Sequence, residues 1–292
     1  MQLVKWIPPV EAKLNLWQIA AIFVACISLY NILRGWWRST LGRRGFFVRN
    51  CRKLAPHVRH EYVKGLFGEP AWQHKQNVEQ YSSEQEVPGS TETLEMTVRT
   101  WPLGRMGFLV TWCTANDEVE MYSITTRSRI FRPAIRVGGR YLVRLGKSRL
   151  SALPYPDVIE DPIQWRIGSR RFSYAETHYF GNPGAYHTWA MGVSDSGHPA
   201  APPVELGSSP EYCNDPVEIP RYRARARINS VLVAGGSAIR LNSLLPDGVG
   251  PDHDRVRLAD PEYGLRALCT RLRWQTWQAA SHMRELVRRG EQ

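Results

Sequence analysis

The chain has 292 residues with 38 Lys and Arg against 27 Asp and Glu, a formal net charge of +11. Only six of the basic residues are lysines (Lys5, Lys13, Lys53, Lys64, Lys75, Lys147) and the other 32 are arginines, a bias that weakens any inference from charge to nucleic acid; net charge speaks to nonspecific association rather than to fold or catalysis. Five scattered cysteines (26, 51, 113, 213, 269), with no Cys-x-x-Cys, argue against a disulfide framework or a thiolate zinc site and fit reduced thiols.

After a short tail over 1–15, residues 16–33 read LWQIAAIFVACISLYNIL, with no charged residue. A bilayer core about 30 Å thick needs roughly 20 helical residues. Trp17, Tyr30, Trp36 and Trp37 suit the headgroup level at its ends, so a transmembrane helix is expected over 16–37. A cleaved secretory signal has a shorter apolar region. A lipoprotein site at Ala25-Cys26 is disfavoured by the bulk of Phe23 and by the apolar residues that follow.

Orientation follows the basic residues flanking a span. Lys5 and Lys13 precede it; Arg34, Arg38, Arg43, Arg44, Arg49, Arg52, Lys53 and Arg59 follow before the first acid, Glu61. The expectation is a single-pass inner (plasma) membrane protein with its N-terminus outside and its body cytoplasmic. Trp17, Trp36, Trp37, Arg34, Arg38, Arg43 and Arg44 would sit at the membrane interface, and residues 38–53 form a basic juxtamembrane segment.

Residues 54–137 read as a first α+β subdomain. Leu54, Val58, Tyr62 and Leu66 recur at helical spacing, and Gly68-Glu69-Pro70 ends that helix. Residues 79–93 read as a polar loop. Leu94, Met96 and Val98 alternate with polar neighbours, and 108–114 and 119–126 flank Ala115-Asn116-Asp117-Glu118 as a hairpin. Residues 138–260 read as a second β-rich subdomain, with a strand at 141–145, a turn or short helix at 148–159, and a hairpin of 172–180 with 186–193. A long loop over 195–220 and an extended segment over 221–233 follow. Because both blocks end in a hairpin, a diverged duplication is one reading of them. Residues 261–289 carry Leu265, Leu268, Leu272, Thr276, Ala279, Met283 and Leu286 on one stripe, an amphipathic C-terminal helix.

The order helix, Gly-x-Pro, antiparallel meander over 51–126 resembles small bacterial envelope domains of the outer-membrane-assembly lipoprotein type. Gly68-Glu69-Pro70, FLVTW and DEVEMYSITT within 108–126, and YAETHYFGNPGAYHTWAMGVSDSG (174–197) together resemble an uncharacterised bacterial single-span membrane protein family with a domain of unknown function. That resemblance spans most of 51–260. It implies the same architecture and transfers no catalytic residue.

Four constellations bear on chemistry. Arg221, Arg223, Arg225 and Arg227 alternate with Tyr222, Ala224, Ala226 and Ile228; as a strand they would form an anion-binding ladder, or a charged edge that blocks edge-to-edge pairing. Arg127, Arg129, Arg132, Arg136, Arg140, Arg144, Lys147 and Arg149 form a second basic run with no acid between Glu120 and Asp157. Glu176 and His178 share a strand face with Tyr174, while His187 falls across the hairpin, on the opposite face; a carboxylate–imidazole pair is the minimum for general acid–base work. Asp252 and Asp254 offer two carboxylates in one loop. None of these reaches a recognisable catalytic or metal site.

The sequence therefore predicts an α+β protein: an N-terminal transmembrane helix, an antiparallel-sheet-containing body that forms either one large domain or two small subdomains open to a reading as a duplication, and a C-terminal amphipathic helix. The function expected is a membrane-anchored binding or scaffold protein whose basic surface meets inner-leaflet lipid, an anionic ligand or an acidic partner. No cofactor is called for, and an enzyme is the lesser reading. The alternatives are a nucleic-acid- or nucleotide-responsive membrane-tethered effector, and a metal-assisted hydrolase using Asp252, Asp254, His178 or His187.

Overall fold

The computed structural model describes residues 16–37, 42–81, 91–156, 163–167, 172–179, 187–197, 217–235, 249–251 and 256. The chain divides into two units, Met1–Phe46 and Phe47–Gln292. In the first, α1 runs from Leu16 to Trp37, 22 residues. Its side chains are described from Ile22 to Ile32, and all of these are exposed. No helix among the described residues is long and apolar enough to cross a membrane, so the span expected over 16–37 rests on its sequence.

In the second unit, one antiparallel sheet organises the chain. The helix expected over 54–67 is broken. α2 ends at Cys51 (Arg43–Cys51), and α3 occupies only His60–Phe67. Between them lie Pro56, which cannot donate to a continuing helix, and His57, whose φ of 63° is rare without glycine. The two-residue strand β1 (Val58–Arg59) uses this bend to pair with Val119 and Glu118. α3 stops where the sequence indicated: Gly68, at φ 84°, donates its N–H to the Lys64 carbonyl at 2.8 Å.

Four strands then form a meander: β2 (Trp72–Tyr81), β3 (Thr91–Pro102), β4 (Gly107–Cys113) and β5 (Glu118–Thr126). β2 and β3 take the two ends of the stretch read as a polar loop, 79–81 and 91–93, and residues 82–90 lie outside the described residues. A two-stranded excursion follows, β6 (Ala134–Val137) and β7 (Tyr141–Arg144). In the stretch read as a turn or short helix over 148–159, the described residues, 148–156, include a 3-10 turn at Leu150–Ala152. The second meander is β8 (Ile163–Ile167), β9 (Phe172–Tyr179), β10 (His187–Ser194) and, after helix α4 (Glu218–Arg225), β11 (Ser230–Gly235). β8 has no counterpart in the sequence reading. The C-terminal helix expected over 261–289 lies outside the described residues.

The strand order is β2-β3-β4-β5-β11-β10-β9-β8. The final strands of the two meanders meet at the centre, with Ser230 opposite Thr125 and Ala234 opposite Met121. The two blocks expected to be separate subdomains are thus halves of one sheet. The reason is visible in β11: SVLVAG is buried at every position, an apolar run that needs a strand on each side and cover on each face.

One face of this sheet carries Trp101, Leu109, Tyr122, Ile124, Met191 and Val233, packed with Phe47, Val63, Val143, Leu150, Ile219 and Tyr222 from the helices and the excursion. The other carries Met96, Val98, Val110, Trp112, Leu232 and Ala234, with Val249 against it. There the buried hydroxyls of Ser123 and Ser230 both donate to the Val249 carbonyl, and Thr125 Oγ1 bonds Ser230 Oγ at 2.7 Å. These bonds satisfy polar atoms that burial would otherwise penalise by about 1–3 kcal/mol each.

Candidate functional site

The arginine series does not form a strand ladder. Glu218–Arg225 is helical, because a second pattern runs through the same residues. Ile219, Tyr222 and Ala226 fall three and four apart and are all buried, which is helix spacing. Pro220 lies in the first turn, where a missing N–H costs nothing. Arg221 and Arg225 are exposed, and Arg227 lies beyond the helix in an antiparallel bridge with Arg149. Arg223 turns inward and is only 7% exposed.

Arg223 binds an internal anion. Its Nε donates to Glu176 Oε1 at 2.8 Å, and its Nη2 donates to the carbonyls of Leu150 (3.3 Å), Leu153 (3.0 Å) and Pro154 (2.6 Å). The guanidinium also lies 5.0 Å from the Tyr155 ring centroid. Glu176 is fully buried and takes a second bond from the Tyr174 hydroxyl at 2.8 Å. Its Oε2 faces His178 Nε2 at 3.4 Å. Tyr174 meets Tyr222 edge-on at 4.7 Å. Burial, reinforced by the Glu176 charge, pushes both phenols far above their ordinary range, so they remain protonated. Among the described residues the Tyr222 hydroxyl has no hydrogen-bond partner.

The expected Glu176–His178 pairing on one face of β9 is therefore present, and its third member is Arg223. The assembly joins α4, β9 and residues 150–155. It is built like a structural clamp: Arg223 and the Tyr174 phenol both bond Glu176 Oε1, while the buried Oε2 has no hydrogen-bond partner among the described residues and faces His178.

His187 lies elsewhere than expected. Trp189 pairs directly with His178, so His187, two residues before Trp189, is on the same face as His178. Its ring stands edge-on to Trp189 at 6.3 Å. Asp252 and Asp254 lie outside the described residues. Among the described residues, no group of three or more His, Cys, Asp or Glu is placed to hold a metal ion. Of the interface residues, Arg43 and Arg44 open α2; the side chains of Trp17, Arg34, Trp36 and Trp37, and the whole of Arg38, lie outside what is described.

Two further clusters escaped the sequence reading. At the β4–β5 end, Arg99 donates to Asp117 Oδ1 at 2.6 Å and to Gln73 Oε1 at 3.3 Å. Thr111 Oγ1 sits 3.6 Å from Cys113 Sγ, and His60 packs on Trp101 at 5.8 Å. Burial raises the Cys113 thiol, while burial and the Arg99 charge lower the His60 imidazole. Those directions oppose a thiolate–imidazolium pair, so this is not an activated nucleophile. At the other cluster, His57 Nδ1 lies 3.2 Å from Glu118 Oε1 and 3.7 Å from Glu120 Oε2. The only local signal was Pro56, which gives no hint of the carboxylates supplied by β5.

Cysteine chemistry tests this account of the core. Burial pushes the Cys51 thiol up to about 12, and Cys113 is raised by the same cause. In the folded chain at neutral pH, peptide mapping after alkylation should find both unmodified, and both labelled after denaturation. Equal labelling rates in the two states would refute the buried assignment.

No family model matches the chain, and no curated protein or solved structure is significantly similar to it. The likeness to the uncharacterised bacterial membrane family rests on the residues that carry it.

Proposed function

We propose that the chain is a membrane-anchored binding protein, held in a bilayer by α1 and presenting the sheet domain as its binding module. The observation that carries this is the character of α1. Residues 16–33 form an apolar run at the short end of what spans a hydrocarbon core of about 30 Å. It is uncharged from Leu16 to Leu33, and every described side chain from Ile22 to Ile32 is exposed. Water is a costly surrounding for that apolar surface, at roughly 25 cal/mol per Å², whereas lipid is a matched one. The basic residues that follow favour a cytoplasmic body.

A binding role suits the sheet domain better than catalysis. Its buried Glu176 is paired with Arg223 and Tyr174, and among the described residues the exposed Arg132, Arg136, Arg140, Arg144 and Lys147 present cationic charge outward. The nucleic-acid reading loses the arginine ladder that suggested it. Alkaline carbonate washing of membranes from expressing cells should leave the full chain in the pellet. A reporter fused after Gln292 should report a cytoplasmic C-terminus. Release into the carbonate supernatant would sink the anchored reading, and an external reporter would reverse its direction.

A further inference from the structure

The second basic run has a definite shape. β6 and β7 pair with Arg136 opposite Leu142 and Ala134 opposite Arg144, which puts these four on one face of the hairpin. Val137 and Val143, on the other face, are buried in the core, with Ile135 and Tyr141 packed beside them. The turn is tight: Gly138 and Gly139 hold φ of 55° and 71°, and Arg140 closes it with a bond from its N–H to the Val137 carbonyl at 3.2 Å. Two successive positive φ values favour glycine, and three residues, Gly138 to Arg140, separate the paired Val137 and Tyr141.

The outward surface combines two properties. Arg132, Arg136, Arg140, Arg144 and Lys147 are exposed, and none is paired with a carboxylate among the described residues. Two exposed apolar side chains accompany these charges: Leu142 at 55%, on the face that carries Arg136 and Arg144, and Ile130 at 57%, in the segment leading into β6. No acid occurs between Glu120 and Asp157. Cations alone would suit any polyanion. Aliphatic side chains among them suit a headgroup boundary, where the charges meet lipid phosphate and the apolar groups leave water. Single-stranded nucleic acid would call instead for exposed aromatic platforms, and Tyr141 faces inward.

We propose that the outward face of the β6–β7 hairpin docks on an anionic bilayer surface. Arg136, Arg140, Arg144 and Lys147 meet the lipid charges while Ile130 and Leu142 enter the headgroup boundary. The proposal rests on the anchored reading for its setting, since α1 supplies the nearby membrane, but the surface has its own chemistry. Docking would fix the orientation of the sheet domain and make it sensitive to the charge of the leaflet.

The test uses the full chain in nanodiscs of pure phosphatidylcholine and of an equimolar phosphatidylcholine–phosphatidylserine mixture, read by hydrogen exchange. Amides of residues 128–149 should exchange on the order of tenfold more slowly on the anionic discs, and high salt should abolish the difference. The variant R136E/R144E should lose the protection while β4 and β5 exchange as in the parent, and Leu142→Ser should weaken it. Equal exchange on the two discs, with β4 and β5 still protected, would overturn the proposal. So would protection produced by a single-stranded oligonucleotide and not by phosphatidylserine. If the chain leaves discs of both compositions, the anchoring reading fails. The docking surface is then scored separately, by salt-sensitive binding of the same chain to phosphatidylcholine–phosphatidylserine vesicles, and absence of that binding overturns it too.

Discussion

Replacing Arg223 by methionine should cost about 3–5 kcal/mol of folding stability, the usual result of stripping one partner from a buried ion pair. Glu176 is fully buried, and among the described residues Arg223 is the one arginine or lysine in an ion pair with it. Without the guanidinium, three carbonyls at 150–154 also lose a donor. Glu176→Gln should also be costly, since it removes the counter-charge of a buried guanidinium whose remaining acceptors are the three carbonyls. The double variant R223M/E176L should recover most of the loss, because exchanging both partners for apolar groups of similar volume is often neutral. A residual of about 1–3 kcal/mol is expected from the Tyr174 hydroxyl, which then has no acceptor. Urea unfolding of the full chain in detergent, followed by tryptophan fluorescence, gives all three values. If the single variants unfold at the parent's midpoint, the clamp has no energetic role. If the double variant is as weak as the sum of the singles, the two residues do not act as a pair.

Gly192→Ala should be the next largest effect. Gly192 lies in β10 between Ala175 of β9 and Ser230 of β11. An added methyl would collide with the Tyr174 carbonyl oxygen and lie 2.8 Å from Ala175 Cα, both backbone atoms that cannot swing aside. Gly192 also accepts from the Asn229 N–H at 3.0 Å, so a shift of β10 disturbs β11 as well. Overpacking a core typically costs 1–3 kcal/mol, and a collision with two fixed backbone atoms belongs at the upper end, about 3 kcal/mol. The same unfolding measurement applies. Parent-like stability would mean that β9 and β10 can separate without cost, contrary to the close approach described here.

How much of this was readable in advance depends on the range of the interaction involved. The β4–β5 hairpin was legible because an apolar alternation brackets a turn, both local signals. β2 was not: QHKQNVEQ is polar almost throughout, and it is a strand because β3 offers it a ladder, with Gln73 opposite Arg99 and Val78 opposite Leu94. The α4 segment held two periodicities at once. The arginines repeat every two residues, but charge can stay in water in either conformation, whereas Ile219, Tyr222 and Ala226 gain burial only as a helix. The apolar pattern therefore prevailed. In the clamp, the Glu176–His178 relation follows from strand alternation. Arg223 is 47 residues away from Glu176, and no local rule connects them.

The central pairing of β5 with β11 has a consequence for how the chain comes to be folded. Thr125 and Ser230, which bond across it, are 105 residues apart. During synthesis the first meander is complete long before β11 emerges, so the inner edge of β5 waits with its backbone donors and acceptors open. Pairings over such separations close slowly and leave intermediates with unprotected strand edges. Under the anchored reading proposed above, that wait would take place at the bilayer, where a tether limits diffusion. The seam that makes the finished sheet continuous is thus also the point at which an unfinished chain is most exposed to a wrong partner strand.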